Sequence, residues 1–168
     1  MADPKSNKQS SPIAYSCYFT RNREGEQFAP EHVFSYQISG TLTINNGEKE
    51  YVFKEGDFRF IRRNQLMKFI KQPPENGVFK SISVYLDQET LRSFAMEHGY
   101  RADHQRGQDA GPIFALNGGS LLKGFMDSLM PYSEDDQLID AGLQALKVRE
   151  AIMILLRTSP VMRDILFD

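Results

Sequence analysis

Apolar and polar positions alternate in short runs from residue 13 to residue 86, and from residue 87 onward the apolar positions recur at helical spacing. The first region predicts strands over 13–20, 33–39, 41–44, 50–54, 58–61, 66–71 and 78–86. Asn45-Asn46-Gly47 tolerates positive φ and suits a tight hairpin. Glu55-Gly56-Asp57 reads as a second turn and Arg62-Arg63-Asn64 as a polar corner, and Gln72 to Gly77 breaks the pattern. Strands this short, this closely spaced, predict a sandwich or barrel. In the second region, Leu91, Phe94 and Ala95 share one face of a helix over 88–98. Residues 101–111 read as a polar loop and 112–116 as an extended piece. A helix is expected over 120–130 and a long one over about 135–158, led by the acidic run after Ser133 and stopped at Ser159-Pro160. One or two further turns are expected over 161–167.

The chain has 168 residues with 12 Phe and 7 Tyr, enough apolar mass for one real core. Lys plus Arg number 20 and Asp plus Glu 22, a net charge of −2, so no global field draws the chain to DNA or to an anionic membrane. Cys17 is the single cysteine, which leaves no internal disulfide and no cysteine-based zinc site. No apolar run is long enough to span a bilayer, and the polar residues 1–12 read as a flexible tail without the core of a signal peptide. The expectation is a soluble cytoplasmic domain: a tail (1–12), a barrel (13–86) and a helical subdomain (87–168).

The stretch from Glu31 to Lys71 resembles a cupin barrel: a strand ending at Gly40, a strand, the turn at Asn46-Gly47, a strand, Gly56-Asp57, and another strand. With helices following, residues 13–160 resemble the N-terminal effector-binding and dimerisation domain of AraC-type transcriptional regulators. HVFSYQISGTLTINNGEKEYVFKEGDFRFIRRN is similar to the arm-and-barrel part of that group, and LKVREAIMILL (146–156) to its helix. The resemblance implies an α+β fold, a cupin-like double-stranded β-helix barrel followed by a C-terminal helical subdomain. It implies a domain that senses a small-molecule effector and dimerises. The helix-turn-helix part is then expected beyond Asp168, since from Ser133 onward seven acids face four bases, the wrong sign for a recognition helix.

Two rivals stand beside that reading: a metal-free cupin binding module with no DNA-binding partner, and a cupin enzyme. Spacing tests the second. With the cupin metal motifs anchored on Gly40 and Gly56, the ligand positions fall on Gln27, Ala29 (or Glu26, Phe28), Val33 and Met67, and no histidine lands on one. No cofactor, metal or catalytic residue is therefore expected. His32 reads as a strand-start residue with one hydrogen bond, His98 as a helix C-terminal cation and His104 as a loop residue. Cys17 reads as a buried small hydrophobe, and Arg62-Arg63 as a solvated turn. Glu150 sits on an apolar stripe. It is either a tie between helix and barrel, as the family's helix acid implies, or a surface residue at the stripe's edge.

Strand parity names a candidate pocket. If Val33 faces inward, so do Ser35 and Gln37; Met67 carries Phe69 and Lys71 with it, and Ser81, Ser83 and Tyr85 share a face with Phe79. The candidate ligand-binding residues are thus Ser35, Gln37, Met67, Phe69, Ser81, Ser83 and Tyr85, a lining suited to a small polar or amphiphilic molecule; a filled core is the alternative. The long helix carries two apolar stripes, one through Leu138, Val148, Ile152 and Leu155, the other through Ile139, Leu143, Leu146 and Met153. One packs on the barrel or the 120–130 helix. The other is left for a homodimer interface, with Leu138, Ile139, Leu143, Leu146 and Ile152 as candidates, unless both are covered within the monomer.

Overall fold

The computed structural model describes residues 11–18, 21–133 and 140–168. The strands are β1 (Ile13–Tyr18), β2 (Arg23–Ala29), β3 (His32–Ser39), β4 (Thr41–Asn45), β5 (Glu50–Phe53), β6 (Phe58–Ile61), β7 (Gln65–Gln72), β8 (Phe79–Leu86) and β9 (Ile113–Leu116). The helices are α1 (Gln88–His98), α2 (His104–Asp109), α3 (Ser120–Ser133), α4 (Ala141–Thr158) and α5 (Met162–Leu166). The fold is α+β, antiparallel sheets and helices. A five-stranded sheet runs β1-β8-β3-β6-β9 and a four-stranded one β2-β7-β4-β5.

Alternation along the strands builds two cores. On one face of the five-stranded sheet, Val33, Ile61, Phe79 and Ile113 meet Ala29, Leu42, Ile44, Phe53 and Met67 of the four-stranded sheet. On the other face, Phe34, Tyr36, Phe58, Phe60, Ile82 and Val84 pack beneath the helices. β3 is buried on both faces, which is why its run VFSYQ carries no charged residue. Phe34 stacks on Phe125 of α3 with centroids 6.2 Å apart. Each such side chain, fully buried, contributes on the order of 1.5–3 kcal/mol.

Local chemistry sets the joints. A β-bulge between Gln37 and Ser39 leads into Gly40, where φ is +83° and a Cβ would lie 2.5 Å from the Gln72 carbonyl oxygen. Only glycine lets β3 pass so closely to the end of β7. The Asn46 side chain accepts from the amides of Glu48 and Lys49 and closes the β4–β5 hairpin. The Asp87 carboxylate caps α1 by accepting from the Thr90 amide at 2.9 Å, and Gly99 ends it.

Three elements depart from the sequence expectation. β2 forms in a polar stretch with no alternating apolar residues, because β7 supplies a full antiparallel ladder from Arg23↔Lys71 to Ala29↔Gln65. The expected loop over 101–111 contains α2, capped by Asp103 and pressed onto α5; a Cβ on Gly107 would lie 2.7 Å from the Asp164 carbonyl oxygen. The long helix begins at Ala141 and not near residue 135, because the Asp140 carboxylate accepts from the Leu143 amide at 2.8 Å and fixes the N-cap there. Of the expected tail, residues 1–10 lie outside the described residues, as does the acidic run after Ser133.

Candidate functional site

The inward faces of both sheets leave a cavity of about 250 Å³ between them. Ser35, Met67, Phe69, Ser81, Ser83 and Tyr85, all expected from strand parity, line it. Gln37 shares their parity but does not line it. Its amide nitrogen donates to the carbonyls of Ser39 and Lys80, and its Oε1 accepts from Arg59 Nη1 at 2.8 Å, so it is spent on the bulge and on Arg59. Ser35 and Ser83 face each other across β3 and β8 with their hydroxyl oxygens 2.7 Å apart. Lys71 Nζ donates to Ser16 Oγ at 3.2 Å and sits 4.9 Å from the Phe69 ring centroid.

Arg59 is a lining residue that sequence reasoning missed, as are Tyr15 and Ser16 of β1. It lies in the four-residue strand FRFI, where period-2 counting is weakest. The signal was the pairing: Arg59 opposes Ser35, so the two point the same way, while Phe58 and Phe60 point to the helices. Its side chain is 4% exposed, and burial lowers its pKa to about 10 against the opposing influence of Tyr85. Its Nε has no hydrogen-bond partner among the described residues. Register grades the cavity along its length. Lys71, Ser81 and the Gln37 contact of Arg59 lie toward the Gly40 end, and Val33, Ile61, Met67 and Ala29, with the neutral Tyr85 and Gln27, toward the other.

Tyr15 carries the cavity to the helices. It lines the cavity from β1, and its hydroxyl donates to the Leu129 carbonyl of α3. One residue earlier on α3, the Ser128 hydroxyl accepts from Lys147 Nζ of α4 at 3.0 Å.

On α4 the two stripes separate. Val148, Ile152 and Leu155 are buried under the five-stranded sheet's helical layer, and Ile152 has no exposed surface, so it belongs to the monomer core and not to an outer face. Leu146 is 63% exposed and Met153 51%, with Leu143 half-buried beside them. Leu138 and Ile139 lie outside the described residues. Glu150 is on the surface, paired with Lys147 at 3.2 Å, which is the second of the two readings open to it.

The histidines and the arginine corner bind the layers. His32 is buried. Its Nδ1 accepts from the Arg63 amide at 3.0 Å, and burial first, then Arg63 and Arg62, lowers its pKa to about 4. Arg62 donates to the Gly107 carbonyl of α2, and Arg63 to the Asp168 carbonyl at 3.2 Å, so the corner is a clamp and not a solvated turn. His104 meets the Asp168 carboxylate at 2.7 Å, and His98 lies against the Phe94 ring at the end of α1. Among the described residues no three His, Cys, Asp or Glu side chains gather in a metal-binding group, and no helix is long and apolar enough to cross a membrane. A wider groove of about 750 Å³ opens at the surface beside α1, α2, α4 and α5; its arginines, unlike Arg59, reach solvent.

A family model described as the ExsA N-terminal regulatory domain matches residues 32–163. No curated protein matches the sequence. Among solved structures, ToxT of Vibrio cholerae with a bound unsaturated fatty acid superposes with a TM-score of 0.57 at 10% identity, over 93% of this chain and 57% of that one. The AraC-like transcriptional activator CuxR superposes with a TM-score of 0.58 at 13% identity, over 88% of this chain and 52% of that one. The chain thus spans little more than half the length of these neighbours, and at such identities the likeness is one of fold.

Proposed function

Because this chain belongs to the ExsA N-terminal regulatory domain family, the amino-terminal part of AraC-type regulators, we propose that it is the sensing and dimerising domain of a transcription factor. The two sheets are read as the halves of a cupin-like double-stranded β-helix, with residues 13–86 as barrel and 87–168 as helical subdomain. A small effector occupies the cavity between the sheets. A second copy of the chain covers Leu143, Leu146 and Met153 on α4, and DNA is bound by a separate part of a cytoplasmic regulator. The domain does no chemistry of its own.

The observation that carries this reading is the hydrogen-bonded path from the cavity to that exposed face: Tyr15 to Leu129, then Ser128 to Lys147, beside Leu146. A ligand that favours one position of Tyr15 shifts α3 against α4, and the population of dimer arrangements follows that differential affinity. That ToxT is seen with a fatty acid supports a small-molecule effector for this fold.

The test joins the chain to a DNA-binding domain that represses a reporter only as a dimer. The native chain is expected to repress. Leu146→Asp should abolish repression and Ser83→Leu, which fills the cavity, should change it, both with an unchanged circular dichroism spectrum. Repression indifferent to both substitutions overturns the reading.

A further inference from the structure

We propose that the cavity between the sheets takes a short carboxylate, its head against the Arg59 guanidinium and its apolar body among Val33, Ile61 and Met67. The proposal rests on the ligand-sensing reading above and names the class of ligand. Arg59 is buried, yet it makes no ion pair among the described residues and its Nε is unpartnered. Its hydrogen-bond acceptor among the described residues is the neutral Gln37 amide. Among the described residues no aspartate or glutamate lines the cavity, whereas Lys71 adds a second cation to it.

A buried cation without a counter-charge is costly, and an apolar side chain of similar size is commonly more stable in its place. The Phe53 ring, 5.9 Å from the guanidinium carbon, and the Gln37 amide give Arg59 contacts but no counter-charge, which an anion arriving from outside would supply. The fork of N–H donors suits a planar carboxylate. The cations fall away along the cavity, from the Gly40 end with Lys71 and Ser81 to the Val33–Ile61 end, where Val33, Ile61, Met67 and Ala29 are joined by the neutral Tyr85 and Gln27. That gradient matches a molecule with one charged end and one greasy end. Size sets the length. At about 30 Å³ per water-sized group, a cavity of this volume holds roughly eight non-hydrogen atoms, the size of hexanoate and half that of a long-chain fatty acid.

The experiment titrates the whole chain with hexanoate, its neutral isostere hexanamide, and hexadecanoate. Binding is followed by calorimetry and by amide chemical shifts at Ser35 and Ser83. Hexanoate should bind about tenfold or more tighter than hexanamide, as charge-assisted hydrogen bonds require, and should move the Ser35 and Ser83 signals. Hexadecanoate should leave those signals in place. Arg59→Met should remove the preference for the acid while the chain stays folded. If that variant does not fold, the hexanoate-to-hexanamide ratio of the native chain and of Lys71→Met decides. Equal affinity for acid and amide, shifts confined to residues outside the cavity, or no hexanoate binding each overturn the carboxylate. The sensing domain itself stands or falls separately, on the Ser83→Leu reporter.

Discussion

His32 ties three parts of the molecule through one ring. It starts β3, its Nδ1 accepts from the Arg63 amide of the corner before β7, and it packs against Phe60 with centroids 5.5 Å apart. Burial and the two neighbouring arginines keep the folded ring neutral, with a pKa near 4 against an ordinary 6.5. The unfolded chain therefore binds a proton that the folded chain refuses between those values, and stability rises with pH across that window. The contribution is full above about pH 6.5 and drains away as pH falls toward 4. At about 1.4 kcal/mol per pH unit the loss is on the order of 3 kcal/mol. Urea unfolding at a series of pH values should show this slope, and His32→Gln, which keeps an acceptor but cannot titrate, should flatten it. An equal slope in both proteins would place the titration elsewhere. The sequence showed the strand start and the hydrogen bond, and nothing of the burial. It gave His32 one hydrogen bond and no reason to be buried, because its burial comes from Phe60 and the clamp at Arg62-Arg63, which are distant in the chain. Arg59 was hidden for a similar reason, since its direction is set by its partner Ser35 and not by its neighbours.

An element was legible when its own residues decided it. The hairpin at Asn45-Asn46-Gly47, the strand VFSYQIS and α1 with its Asp87 cap and Gly99 stop all follow from local propensity and pattern. β2 and α2 do not. REGEQFA offers its outer face to solvent and becomes a strand only because β7 needs a partner, and HQRGQD has no apolar residue to announce a helix. Its signal was Gly107, small enough to let α2 touch the backbone of α5. On α4 periodicity showed two stripes but could not say which faced inward. The structure assigns Val148, Ile152 and Leu155 to the core, so Ile152→Ala should cost about 2–5 kcal/mol in urea unfolding. Leu146→Ala, with most of its surface already in water, should cost well under 1 kcal/mol. Similar losses at the two positions would mean that the stripes are reversed.

The five-stranded sheet is the shared wall of the molecule, holding one core against the four-stranded sheet and the other against the helices. Neither core keeps its wall if the other melts. Heating or urea should therefore give a single transition, with near-ultraviolet and far-ultraviolet circular dichroism superimposing. Two separated transitions would show that barrel and helices are stable independently. The sheet's order also dictates timing. β8 lies between β1 and β3, so Ile13 waits for Val84, and β3, whose other edge pairs with β6, waits with Val33 for Tyr85. At a synthesis rate of about 5–20 residues per second the leading strands spend seconds outside the ribosome with that edge unpaired. VFSYQIS, aromatic and free of charge, is then an open invitation to other nascent chains. Slow codons placed before β8 lengthen that exposure, so the yield of soluble protein depends on the pace of translation through residues 40–78 as well as on the stability of the finished fold.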